Sequence, residues 1–321
     1  MQTTTYQPIV TRPCLDNTRE YTPCLFSHLI SGDATGGEAA LIYFLGQKGG
    51  EPPYHLHTRE DEFFYILEGE AIYESGGRQL LARAGSLIWF PKDTEHAFRF
   101  TTPTARGLIG FFPAMFEKWF IEFSEPARSM ELPDASATNY SVDIPKMMAM
   151  AAECGVQFLP TTTEATVPSE VALSEGFSAH RDDASSIEFP FCGIRFLATS
   201  EQTAGKLTVI ECDVHLGQSI PLHTKPCLDI SYVLEGELRY QLGDQFYDVR
   251  AGDCIACPAG VPFGFRNIGT GNARTLDMMF GCPFEIFIDR LAVLNPETEK
   301  EAMLALFEEY SMTFLRPEIA G

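Results

Sequence analysis

Five stretches of this 321-residue sequence occur twice, in the same order. Ile66-Leu-Glu-Gly-Glu70 returns as Val233-Leu-Glu-Gly-Glu237, and Arg83-Ala-Gly85 as Arg250-Ala-Gly252. His57-Thr58 returns as His223-Thr224, and Phe116-Glu117 as Phe284-Glu285. Met148 to Leu159, ending Gln-Phe-Leu, resembles Leu304 to Leu315, ending Thr-Phe-Leu. Shared order over so many positions points to one folding unit duplicated. The expected division is residues 1–165 and 166–321, joined through the polar, Thr-rich stretch Thr161 to Ser169. Each half is long enough for a domain of ordinary size.

Within each half the pattern is β. Phe63–Leu67 and Glu70–Tyr73 are short aromatic and β-branched runs broken at Gly69; Gln79–Ala82 and Ser86–Phe90 follow, punctuated by Gly85 and Pro91. Short strands with Gly and Pro turns at close spacing predict a sandwich or barrel. Phe112, Phe116, Trp119, Phe120 and Phe123 recur at helical spacing, predicting a helix over 112–123 with an aromatic packing stripe. Asn295-Pro296 reads as a cap and first-turn proline opening a helix through Tyr310. The expected architecture is therefore mainly β, two barrels each followed by short helices.

The chemistry lies between Gly49 and His96. His55 and His57 are two apart in an extended segment, so both imidazoles share one face. Glu62 follows after room for a short turn, and His96 comes after the glycines and Pro91. In a small barrel that face becomes the interior, where three neutral imidazoles and a carboxylate suit a divalent ion. Alternation along the strands puts Phe64 and Ile66 on the face of Glu62, and Phe98 and Phe100 on that of His96. These four are the candidate walls of a substrate pocket.

Gly49-x5-His55-x-His57-x4-Glu62-x6-Gly69 and Gly85-x5-Pro91-x-Asp93-x2-His96 resemble the two cupin motifs, with Asp93 in place of the usual Gly and Phe100 where Asn is frequent. The resemblance implies tandem cupin (jelly-roll) barrels, with His55, His57, Glu62 and His96 holding one divalent transition metal: iron, manganese, nickel, cobalt, copper or zinc. In the second half the matching positions are Pro221, His223, Asp229 and Phe263, two of which offer no donor atom. A degenerate site is expected there, with His223 and Asp229 joined by a buried hydrogen bond.

His55 to Phe64 and Pro91 to Phe98 are further similar to bicupins of the quercetin 2,3-dioxygenase group. That resemblance implies a dioxygenase acting on a hydroxylated aromatic or enolic small molecule. Glu62 would serve there as both metal ligand and proton acceptor, with dioxygen as partner. The alternative within the family is non-oxidative metal chemistry: an isomerase, lyase, decarboxylase or cyclase. Homodimerisation through an exposed sheet face suits the class, although no residue specifies it.

The formal charge of -21 argues against nucleic acid and anionic membrane as partners. No apolar run reaches membrane-span length, and Met1 to Tyr6 leads into no secretory signal. Nine scattered cysteines do not form a disulfide framework, so a reducing cytoplasm is expected. Cys254 and Cys257 stand in an extended apolar run and are expected as two buried structural thiols on opposite faces.

Overall fold

The computed structural model describes residues 7–21, 23–134, 143–159, 176–295 and 297–316. Thr161–Ser169, where the repeats place the linker, lies outside these residues. The chain forms two compact units, one of residues 13–182 and the other of 183–321 together with 1–12. Each is a pair of antiparallel sheets, one large and one of five strands.

In the unit of residues 13–182 the large sheet carries Asp61–Glu68 between Thr104–Phe112 and Ser86–Phe90. The small sheet carries His96–Phe100 between His55–His57 and Glu70–Ser75. The predicted strands fall inside observed ones. Inward side chains of the two sheets form an aromatic-rich core that includes Phe44, Phe64, Tyr73, Phe90 and Phe111. Burying each such ring contributes about 1.5–3 kcal/mol. Gly69 makes the turn between Glu68 and Glu70 at φ +84°, where a Cβ would meet the Thr104 carbonyl oxygen at 2.6 Å. Gly236 repeats the device at φ +82°, which explains why the Leu-Glu-Gly-Glu run survives in both halves.

The other repeats have structural causes too. Glu117 and Glu285 are buried carboxylates that anchor the helices Glu117–Glu122 and Phe284–Ala292. Glu117 Oε1 accepts from the Gly32 amide at 3.1 Å, and Glu285 Oε1 accepts from the Ser200 amide at 2.9 Å. The tail of each half is a helix followed by a strand that pairs beside the histidine strand. Ile144–Cys154 leads into Val156–Phe158, which pairs with His55–His57. Lys300–Glu309 leads into Thr313–Arg316, which pairs with Ser219–Thr224.

Two helix expectations need correction. Phe112 is the last residue of a strand, paired with Asp61, and Pro113 follows it; the residue before a proline is pushed out of the helical region. The helix begins only at Glu117. Likewise Asn295 caps a turn rather than a helix: its Oδ1 accepts from the Glu297 amide, and its carbonyl from Thr298 and Glu299. The regular helix starts at Lys300, and Pro296 lies outside the described residues.

Ile9–Thr11 pairs with Cys254–Cys257, and Phe177–His180 pairs with Ser86–Phe90. Each unit therefore gains an edge strand from a segment that the repeats do not mark. Cys254 and Cys257 are buried on that central strand, and burial raises both thiols. All nine cysteines are free. No described helix is long and apolar enough to cross a membrane.

Candidate metal centre

Strand register brings the four predicted ligands together. His55 pairs directly with His96 across neighbouring strands, and His57 lies two residues along on the same inward face. Glu62 comes from the opposing sheet. One ligand atom from each of the four lies within 4.8 Å of the others, and all four residues are buried. The turn before His96 is tied to the first motif: the Asp93 amide donates to the His57 carbonyl at 2.6 Å, and the Lys92 amide to Asp61 Oδ1 at 2.9 Å. Asp93 holds φ +66°, a left-handed conformation that Asp tolerates better than most residues. Its replacement of glycine leaves the turn intact.

The imidazoles are oriented for coordination. His55 Nδ1 faces the Pro53 carbonyl at 2.8 Å, and His96 Nδ1 the Thr94 carbonyl at 2.9 Å. His57 Nδ1 faces Glu60 Oε1 at 3.4 Å, a carboxylate buried completely. Occupying Nδ1 in this way directs each Nε2 inward and fixes the tautomer that binds metal. His57 Nε2 is buried without a hydrogen-bond partner. His96 Nε2 contacts Glu62 Oε2 at 2.8 Å, whereas His57 Nε2 stands 3.7 Å from it. Burial, then the charges of His96 and His57, hold His55 well below its usual pKa, favouring the neutral ligand form. Inward Nε2 atoms, an orphaned nitrogen and a carboxylate fit one divalent transition metal, whose identity they do not specify. Glu60 was not among the residues singled out from the sequence; a carboxylate three residues after a ligand histidine was its signal.

Beside the cluster lies a cavity of about 500 Å³ whose wall includes His55 and Glu62. Phe64 and Phe98 line it. Ile66 and Phe100 do not: Ile66 is fully buried in the core, and Phe100 stacks on Phe44 with ring centroids 6.2 Å apart. Alternation predicts the face of a strand but not the depth along the barrel, which separates these two pairs. The rest of the wall comes largely from segments after the barrel strands: Phe116, Trp119, Phe120 and Phe123 on and at the ends of the helix Glu117–Glu122, and Phe158 on the returning strand. The stripe read as packing surface is thus also the roof of the cavity. Deeper in, the Tyr73 hydroxyl is buried without a hydrogen-bond partner. Burial, then the Glu62 charge, raises it well above its usual pKa.

The second unit departs from expectation at its core. His223 does not bond Asp229. His223 Nδ1 faces the Pro221 carbonyl at 2.7 Å, the same tie that orients His55 and His96. Asp229 instead accepts from the Lys225 ammonium at 2.5 Å, and both are buried. Lys225 also lies 4.1 Å from the Phe284 ring centroid and 5.1 Å from that of Phe263, within cation–π range. A lysine two residues after the surviving histidine has brought its own cation to the carboxylate. Asn267 keeps its motif role, its Nδ2 donating to the Val214 and Gly271 carbonyls; Phe100 packs at that place in the first unit.

Known proteins resemble this chain in sequence and fold. The family described as "Cupin domain" matches residues 43–107 and 210–279, one segment in each half. Quercetin 2,3-dioxygenase of Bacillus subtilis (strain 168) is 26% identical over 92 residues, covering 29% of this chain and 27% of that protein. Bacillus subtilis oxalate decarboxylase, described for its Mn(II) centres, aligns with a TM-score of 0.61 at 17% identity, over 97% of this chain and 90% of that one. A putative glyoxylate-induced protein from Pseudomonas aeruginosa aligns at 0.58 and 16% identity, over 86% and 88%. At such identities the structural likenesses speak for the fold alone. Each half thus carries a cupin-domain segment, and the two barrels, with an intact ligand set in the first, resemble a bicupin such as quercetin 2,3-dioxygenase.

Proposed function

We propose that the first barrel is the active centre of a metal-dependent dioxygenase that acts on a hydroxylated, planar aromatic or enolic small molecule. The observation that carries this reading is the aromatic cavity beside the ligand cluster. Its volume of about 500 Å³ lies in the range of small-molecule sites. Phe64, Phe98, Phe116, Trp119 and Phe158 offer ring faces to a flat substrate. Lys146 is the single cationic residue of the wall among the described residues, and it is paired with Glu122 at 2.5 Å. Such a wall offers little to a small dicarboxylate and much to a phenol or enol.

A divalent ion held by His55, His57, Glu62 and His96 supplies a Lewis acid that lowers the pKa of a coordinated hydroxyl. The chain's own part is to place the substrate and move its proton. The aromatic walls bind the ring and exclude water, strengthening electrostatic interactions at the reacting oxygen. Glu62 stands at the cavity edge and acts as base, taking the substrate hydroxyl proton on a carboxylate oxygen. Glu60 and the Pro53 and Thr94 carbonyls keep the imidazoles aimed while that proton moves. Dioxygen is the second substrate, with both of its atoms entering the product.

Elemental analysis of purified protein, paired with oxygen uptake against quercetin as a flavonol probe, tests the reading. About one metal per chain with uptake that falls at least a hundredfold in Glu62→Gln is the expected result. One metal per chain, with no uptake against flavonols, catechols or other enols, would overturn it and leave non-oxidative chemistry at the same centre.

A further inference from the structure

The second barrel has lost its ligand set and kept a pocket. A cavity of about 100 Å³ is bounded by Pro221, His223, Lys225 and Asp229 below and by the helix Phe284–Ala292 above. Phe284, Phe287, Ile288 and Leu291 line it from the positions that Phe116, Trp119, Phe120 and Phe123 hold in the first barrel. An apolar cavity of roughly 150 Å³ takes benzene. This one is smaller, and the half-buried Ile220 and Leu291 are the part of its wall that must yield to admit one small ring.

Its polar groups are few and buried: His223 is 7% exposed, Lys225 6%, Asp229 2% and Asp277 5%. With Nδ1 donated to the Pro221 carbonyl, His223 Nε2 is an acceptor, and no described residue hydrogen-bonds to it. Burial and the neighbouring Lys225 charge push His223 down to about 3, so it stays neutral. Lys225 uses two of its three N–H groups on Asp229 and on Met279 Sδ at 3.3 Å. The cavity therefore presents one acceptor without a protein donor, one ammonium balanced by Asp229, a second carboxylate, Asp277, already met by the Ser231 and Thr275 hydroxyls, and aromatic walls.

Few chemical classes satisfy that set. A carboxylate would set an oxygen lone pair against the His223 nitrogen lone pair, and Lys225 is already neutralised. A cationic amine would meet Lys225, and the carboxylate oxygens it would seek are already engaged by Lys225, Ser231 and Thr275. A hydrocarbon would cover the His223 acceptor without pairing it. A neutral hydroxyl can donate to His223 Nε2 and accept from Lys225 at once. We propose that the second barrel binds a small, neutral, hydroxylated ring compound of the phenol class, its hydroxyl on His223 and its ring against Phe284 and Phe287. The proposal is independent of the reaction assigned to the first barrel.

Fluorine NMR of the full chain with 4-fluorophenol and fluorobenzene as probes tests it. The wild type should show a saturable bound state for 4-fluorophenol that Ile210→Trp, which fills the second cavity, abolishes. His223→Phe should weaken 4-fluorophenol at the second site about tenfold, the effect of about 1.4 kcal/mol, and leave fluorobenzene within twofold. A wild type with one bound state that persists in both variants overturns the proposal. So does equal weakening of both probes by His223→Phe. Should Ile210→Trp fail to fold, the probe comparison in His223→Phe decides alone.

Discussion

The two barrels answer the same electrostatic problem with different cations. In the first, Glu62 is buried among three histidines, an arrangement that fits one transition-metal ion. In the second, Asp229 is buried at the corresponding place and is neutralised by Lys225, with Phe263 where the third histidine would stand. A buried carboxylate needs a countercharge whether or not the site works. An imported ion keeps open coordination positions and gives chemistry. A tethered ammonium fills the place permanently and gives structure.

The sharpest break in that comparison is metal content. His96→Ala should abolish stoichiometric metal, whereas Asp229→Ala should leave it unchanged; a halved metal content in the second variant would refute the contrast. Next comes the cost of removing the tethered cation. Lys225→Met strands the Asp229 carboxylate, so urea unfolding should show a loss of about 3–5 kcal/mol. Lys225→Met with Asp229→Leu should recover most of it, because neither charge remains. Glu60→Gln should weaken metal affinity about 10- to 100-fold by chelator competition, while leaving the ligand count unchanged.

The smallest effect is a slope. The folded pKa of His223 is pushed down to about 3, below its unfolded value. As pH falls below about 6.5 the unfolded chain takes up this proton and the folded chain does not, so stability drops toward pH 3. Replacing His223 with Phe should flatten the acid limb by up to about 1.4 kcal/mol per pH unit. Equal slopes in the two proteins between pH 6 and 4 would deny His223 this role.

Much of this was legible because the signals were local. The His-x-His spacing, the Gly69 and Gly236 turns and the aromatic strands each constrain a few neighbouring residues, and the structure places them accordingly. What was not legible depends on long-range closure. Nothing near Ile9 announces pairing with Cys254–Cys257. The depth that separates Phe64 from Ile66 is set by the tail helix, more than fifty residues on. Asp229 was read with the wrong partner because aligning the repeats set it beside His223, whereas a lysine's length and flexibility let it reach from four residues away.

The strand Val156–Phe158, which pairs with His55–His57, also sets the order in which the centre can be assembled. A ribosome releases His55 and His57 about a hundred residues before the edge that completes their sheet. During that interval the ligand strand has its His96 neighbour at most, and Phe158 has yet to close the wall. Metal capture by a nascent chain would therefore meet an open, wet and weakly held set of imidazoles. The finished cluster belongs to a chain already past its first barrel, because the strand that borders His55–His57 is the last of that small sheet to be synthesised.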